Sequence, residues 1–88
     1  MSDTLTAASE IRKIVVDAIL AIAPEGDIAH LDAGRSLRQQ LDLDSFDFLN
    51  LLIDLHARLG VEIPEADYGR VDSLESLVAY LAARRATG

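Results

Sequence analysis

Leu41-Asp42-Leu43-Asp44-Ser45-Phe46-Asp47-Phe48 is the stretch from which the rest of the chain can be read. Asp44 and Ser45 are both residue types that open helices, because their side chains accept hydrogen bonds from N–H groups the first turn leaves unpaired. The helix they open begins at Asp44 or Ser45, runs to about Leu59 and is stopped by Gly60. Phe46, Leu49, Leu52 and Ile53 share one side, and Leu55 and Leu59 continue it, while Phe48 and Leu51 put apolar groups elsewhere. A helix apolar over so much of its girth is buried centrally or keeps apolar surface for a ligand or partner. Ser45 has two readings, a plain helix cap or a chemically useful hydroxyl at a helix start. Asp44 can cap equally well, so the cap alone does not require the serine.

Working toward the N-terminus, Ile11, Ile14, Val15, Ala18 and Ile22 recur at helical spacing and line one face of a first helix. Val16, Ile19 and Leu20 broaden that face. Ser2, Asp3 or Thr4 caps the start, and Pro24 and Gly26 end it. A long connection follows up to Asp44, and one of this length carries structure of its own. Ser36-Leu37-Arg38-Gln39 has capping-box spacing. A single turn there drops Leu37 and Leu41 onto the core, with Ile28 and Leu31 tacking down the remainder.

Toward the C-terminus, Val61, Ile63 and Pro64 form an extended link, and a brief turn spans Glu65 to Gly69. Asp72-Ser73-Leu74-Glu75 marks another helix start, with Glu75 three residues after Asp72. Leu74, Leu77, Val78 and Leu81 make the apolar stripe of that last helix. Arg84 and Arg85 suit its negative end. The expected architecture is all-α: a small four-helix bundle of three main helices plus a short third helix, with a long structured loop between the first two main helices.

Composition narrows the functions open to such a bundle. The 88 residues are half apolar, yet only Phe46, Phe48, Tyr68 and Tyr80 are aromatic, which fits one domain over residues 1–88 with an aliphatic core. A net charge of -7 and a pI near 4.5 argue against nucleic acid or an anionic membrane as partner. Without cysteine the polypeptide supplies no thiol, so thiol chemistry must arrive on a cofactor. Arg12-Lys13 before an apolar run ending Ala21-Ile22-Ala23 superficially imitates a secretory leader. Asp3, Glu10 and Asp17 spoil that pattern, and the run is too short to span a bilayer. The expectation is a cytoplasmic monomer. His30 and His56 have no second ligand at metal spacing, so no metal site is expected.

In order and spacing the central stretch resembles the acyl carrier protein family of fatty acid, polyketide and related syntheses, whose segment reads Leu-Gly-x-Asp-Ser-Leu. The resemblance continues through Asp47 and through Gly60-Val61-Glu62-Ile63-Pro64, similar to the family's Phe-Gly-Ile-x-Ile-Pro. It reaches the last helix at Val78, Tyr80 and Leu81, and so covers nearly the whole chain. It implies that a phosphopantetheinyl transferase attaches 4'-phosphopantetheine from coenzyme A to Ser45. The arm's thiol then carries acyl groups as thioesters to enzymes such as ketosynthases and acyltransferases, and the protein itself is no catalyst. It further implies Asp44, Phe46, Asp47, Leu52 and Asp54 as partner-recognition residues. Leu49, Ile53, Leu55, Leu59, Ile63 and Leu77 are candidates for an acyl pocket, where each buried methylene contributes about 0.8 kcal/mol.

Several positions depart from the family pattern. Asp42 replaces the glycine, a substitution that Asp's tolerance of unusual backbone angles permits. Phe46 is bulkier than the usual Leu or Met. Asn50 stands at a usually acidic position, and the later acidic cluster is reduced to His56-Ala57-Arg58. Fewer carboxylates imply dedicated partners with less charge steering. Three other functions compete: an enzyme, for which no nucleophile–base pair is visible; a helical adaptor in which Ser45 only caps; and an aminoacyl or peptidyl carrier using the same prosthetic group.

Overall fold

The computed structural model describes the backbone of residues 3–87, with burial known for residues 8–85. It is all-α. Four α-helices, α1 (Asp3–Ile22), α2 (Leu37–Gln40), α3 (Ser45–Leu59) and α4 (Leu74–Thr87), are joined by 3-10 turns at Ile28–His30 and Glu65–Arg70. The only β pairing among the described residues is an isolated bridge between Ser36 and Ser73. The Glu65–Arg70 turn is the short third helix expected between the last two main helices.

The α1 helix stops at Ile22, before Pro24. It buries Ile11, Val15, Ala18 and Ile19, while Ile14 and Ile22 lie partly buried at the margin. Leu20, expected to widen the buried face, is exposed instead. Of the expected caps, Ser2 lies outside the described residues, and Asp3 and Thr4 fall within the helix. Both α3 and α4 pack against α1.

The connection is structured by its own polar groups. Asp27 caps the Ile28–His30 turn, accepting from the His30 backbone N–H and contacting its ring nitrogen at 2.6 Å. That hydrogen bond holds the exposed Asp27 carboxyl below its ordinary pKa. Ser36 caps α2, accepting from the Gln39 N–H at 3.2 Å. It is Gln40, not Gln39, whose side chain ties the loop together, by accepting from the Asp32 N–H and donating to the Asp32 and Arg35 carbonyls. Leu37 is fully buried and Leu41 partly so. The loop is sewn to the start of α4 by Leu37 N–H to Asp72 O and Glu75 N–H to Ala33 O.

Phe48, Leu51, Leu52 and Leu55 form the buried stripe of α3, at the i, i+3, i+4, i+7 spacing of a core-facing helix. Of the residues read as sharing one side, Phe46, Leu49 and Ile53 lie outward, while Leu52 and Leu55 are buried with Phe48 and Leu51. Gly60 closes the helix in the left-handed conformation at φ 70, where a Cβ would be strained. At α4 the cap lies one residue later than expected. Ser73 and Ser76 exchange backbone-to-hydroxyl hydrogen bonds, each at 3.1 Å, and Glu75 takes no part. Leu74, Leu77 and Leu81 are buried as expected, joined by Val71.

The Glu65–Arg70 turn is fixed at two points. Tyr68 meets Phe48 edge-on, with ring centroids 6.4 Å apart. Asp67 accepts a 2.6 Å hydrogen bond from the Tyr80 hydroxyl on α4, and Arg84 reaches both, at 2.8 Å from the Tyr80 oxygen and 3.5 Å from Asp67.

Candidate functional site

Ser45 is the first residue of α3 and is exposed. Asp44 occupies the cap: its carboxylate accepts from the Asp47 N–H at 2.8 Å, and the Asp47 carboxylate accepts from the Asp44 N–H at 3.4 Å. This reciprocal pair leaves the Ser45 hydroxyl free of capping duty. Asp42, two residues upstream of the cap, has φ 54, the left-handed region in which glycine is most at ease. Its short polar side chain is among the few that tolerate that geometry, so the turn survives the replacement.

Among the described residues the Ser45 hydroxyl has one side-chain hydrogen-bond partner. Arg38, exposed on α2, donates from Nη2 to Ser45 Oγ at 3.3 Å. Its guanidinium carbon sits 5.7 Å from the Phe48 ring centroid, within the range where an aromatic face attracts a cation. Beside the pair opens a cleft of about 480 Å³, lined among others by Arg38, Ser45, Phe48, Leu49, Tyr68 and Asp72. Asp72 brings a buried carboxylate oxygen, Oδ1, that has no hydrogen-bond partner among the described residues.

The structure separates the expected pocket residues. Only Leu49 lines this cleft. Leu55, Ile63 and Leu77 are buried in the common core, and Leu59 packs partly buried against it. Ile53 is 57% exposed and so cannot wall an interior. On the expected partner surface, Phe46 is 77% exposed, while Leu52, expected there, is buried at 4% and belongs to the core. Asp54 pairs with Arg58 at 3.0 Å, one turn on, which offsets its charge. Arg38, Phe48, Tyr68 and Asp72 were not singled out in the sequence for this site. Each comes from a different element, and only the folded chain brings them to Ser45. His30 and His56 are both exposed, and no group of three or more metal-ligating side chains occurs among the described residues. No helix of the structure is long and apolar enough to cross a membrane.

A small helical bundle that frees a serine hydroxyl at the start of a main helix, beside a cleft, has the form of a carrier domain bearing a prosthetic arm. The sequence pattern of the family described as "Phosphopantetheine attachment site" matches residues 9–81, and the chain belongs to the acyl carrier protein family within it. The chain is similar to the acyl carrier protein of Campylobacter hominis, with 31% identity over 72 residues, covering 82% of this chain and 85% of that protein. It is also similar to the acyl carrier protein of Rubrobacter xylanophilus, with 33% identity over 46 residues, 52% of this chain and 57% of that protein. No solved structure matches.

The cofactor of this family is covalently attached 4'-phosphopantetheine. The residues around Ser45 fit it. An arginine donor suits a phosphodiester. An unpartnered carboxylate oxygen on a cleft residue suits an amide or hydroxyl donor of the arm.

Proposed function

We propose that Ser45 bears the 4'-phosphopantetheine and that residues 1–88 act as one carrier domain. The domain moves acyl groups between enzymes of fatty acid, lipid or polyketide biosynthesis in the cytoplasm and catalyses no reaction itself. When bound, the group supplies the thiol that this cysteine-free chain lacks and holds acyl groups as thioesters. The observation that carries the reading is the division of labour at the start of α3. Asp44 and Asp47 satisfy the cap, and Ser45 presents an exposed hydroxyl.

In the attachment reaction Ser45 Oγ bonds to the coenzyme A phosphorus that bears the pantetheine. The adenosine bisphosphate portion leaves, and the hydroxyl proton passes to a base of the transferase. The free N–H groups of the first turn and the helix dipole favour the anionic ester formed there. Asp44 and Asp47 oppose it electrostatically, and their carboxylates suit basic side chains of the transferase. Phe46, Leu49 and Ile53 make the outer face of α3 an apolar contact surface for acyl-handling enzymes, such as ketosynthases and acyltransferases.

The test is mass spectrometry after incubation with coenzyme A, magnesium and a broad-specificity transferase. The expected result is a gain of one phosphopantetheine, abolished by Ser45→Ala. An unchanged wild-type mass, with the transferase shown active on another carrier, would refute the assignment.

A further inference from the structure

The cation beside Ser45 is set apart by where it stands. Arg58 pairs with Asp54, and both Arg70 and Arg84 reach Asp67. Arg38, like Arg12, Lys13, Arg35 and Arg85, has no carboxylate partner among the described residues, but it stands against the Ser45 hydroxyl and the Phe48 ring. Its guanidinium is held between the Phe48 ring and the Ser45 hydroxyl and uses one donor on Ser45 Oγ. A guanidinium offers five N–H donors in a rigid fork that matches two oxygens of a phosphate.

We infer that Arg38 is a positioning residue that clamps the phosphodiester of the arm to the mouth of the cleft. The inference rests on the Ser45 reading above. Esterification turns Oγ into a bridging ester oxygen, a weaker acceptor than a hydroxyl. It also places two non-bridging phosphate oxygens, which share one negative charge, within the sweep of the same fork. The donor that meets Oγ in the unmodified protein therefore shifts to those oxygens, and further N–H groups join it. The clamp also counters Asp44 and Asp47, whose carboxylates are fixed at the same helix start. With its phosphate end held, the arm leaves Ser45 toward Leu49, Tyr68 and Asp72 in preference to bulk water.

The experiment compares the transferase-loaded wild type with Arg38→Gln and Arg38→Lys, after mass spectrometry has verified loading. The expected result is a phosphorus-31 resonance that is displaced in Arg38→Gln and partly restored in Arg38→Lys. The wild-type signal should move toward that of Arg38→Gln as salt rises, because the contact is exposed and screened. In the nitrogen-15-labelled wild type, the Arg38 side-chain N–H resonance should shift on loading, a readout that needs no variant. Coincident phosphorus signals at low salt, or an Arg38 resonance unmoved by loading, would overturn the clamp and leave Ser45 standing. A protein that gains no mass would overturn both.

Discussion

At the scale of single residues, Asp44 and Asp47 perform the capping task that the position of Ser45 advertises, so Ser45 should contribute little to stability. Ser45→Ala should cost less than about 0.5 kcal/mol in urea unfolding, while Asp44→Ala should cost about 0.5–2 kcal/mol by removing the cap. Leu77→Ala, at a position with no exposure, should cost about 2–5 kcal/mol, and the half-exposed Leu49→Ala less. A Ser45→Ala penalty as large as that of Leu77→Ala would contradict the geometry at α3. Much of this scale was legible in the sequence: the Asp44-Ser45 pair, Gly60, and Asp42 at a turn that needs a permissive backbone. Arg38 was not. It lies seven residues from Ser45 on a separate short helix, and no periodicity links the two.

For whole elements the decisive fact is that α3 carries two apolar stripes. Phe48, Leu51, Leu52 and Leu55 face the core, and Phe46, Leu49 and Ile53 face outward. Sequence periodicity identified the helix and its ends, but two stripes of similar character cannot be ranked from one strand of text. Packing chose the one with the fuller i, i+3, i+4, i+7 run. The α4 cap slipped by one residue for a related reason, since Asp72 and Ser73 are both good caps and only folding pairs Ser73 with Ser76. The outer stripe and the scarcity of free carboxylates around it bear on partner choice. Each exposed ion pair contributes only about 0.2–1 kcal/mol, so two missing pairs weaken a basic partner's grip by roughly tenfold. The loaded protein should be a poor substrate for a housekeeping ketosynthase. Asn50→Glu combined with His56→Glu should raise turnover, with a gain that shrinks as salt increases. Steady-state kinetics at low and high salt decide this, and wild-type turnover matching that of the housekeeping carrier would show that these charges do not set specificity.

Over the whole molecule, the all-helical class and the long patterned connection followed from the aliphatic composition and the spacing of caps. How the second 3-10 turn is held did not, because Asp67, Tyr80 and Arg84 converge only in the folded chain. That junction makes a pH prediction. The hydrogen bond to Asp67 raises the pKa of the Tyr80 hydroxyl, so the fold favours its protonated form. Its contribution is complete below the ordinary tyrosine pKa of about 10 and is lost as pH rises through the higher folded value. Thermal melts from neutral pH to strongly alkaline should show wild type losing this increment, with Tyr80→Phe lacking that part of the decline. The same junction has an optical consequence. The chain contains no tryptophan, so its ultraviolet emission comes from Tyr68 and Tyr80. A phenol bonded to a carboxylate, as in Tyr80, emits weakly, which leaves Tyr68 on the cleft wall as the brighter of the two. The unlabelled protein thus carries a native fluorophore on the wall of the cleft beside Ser45, and loading the arm should change its emission.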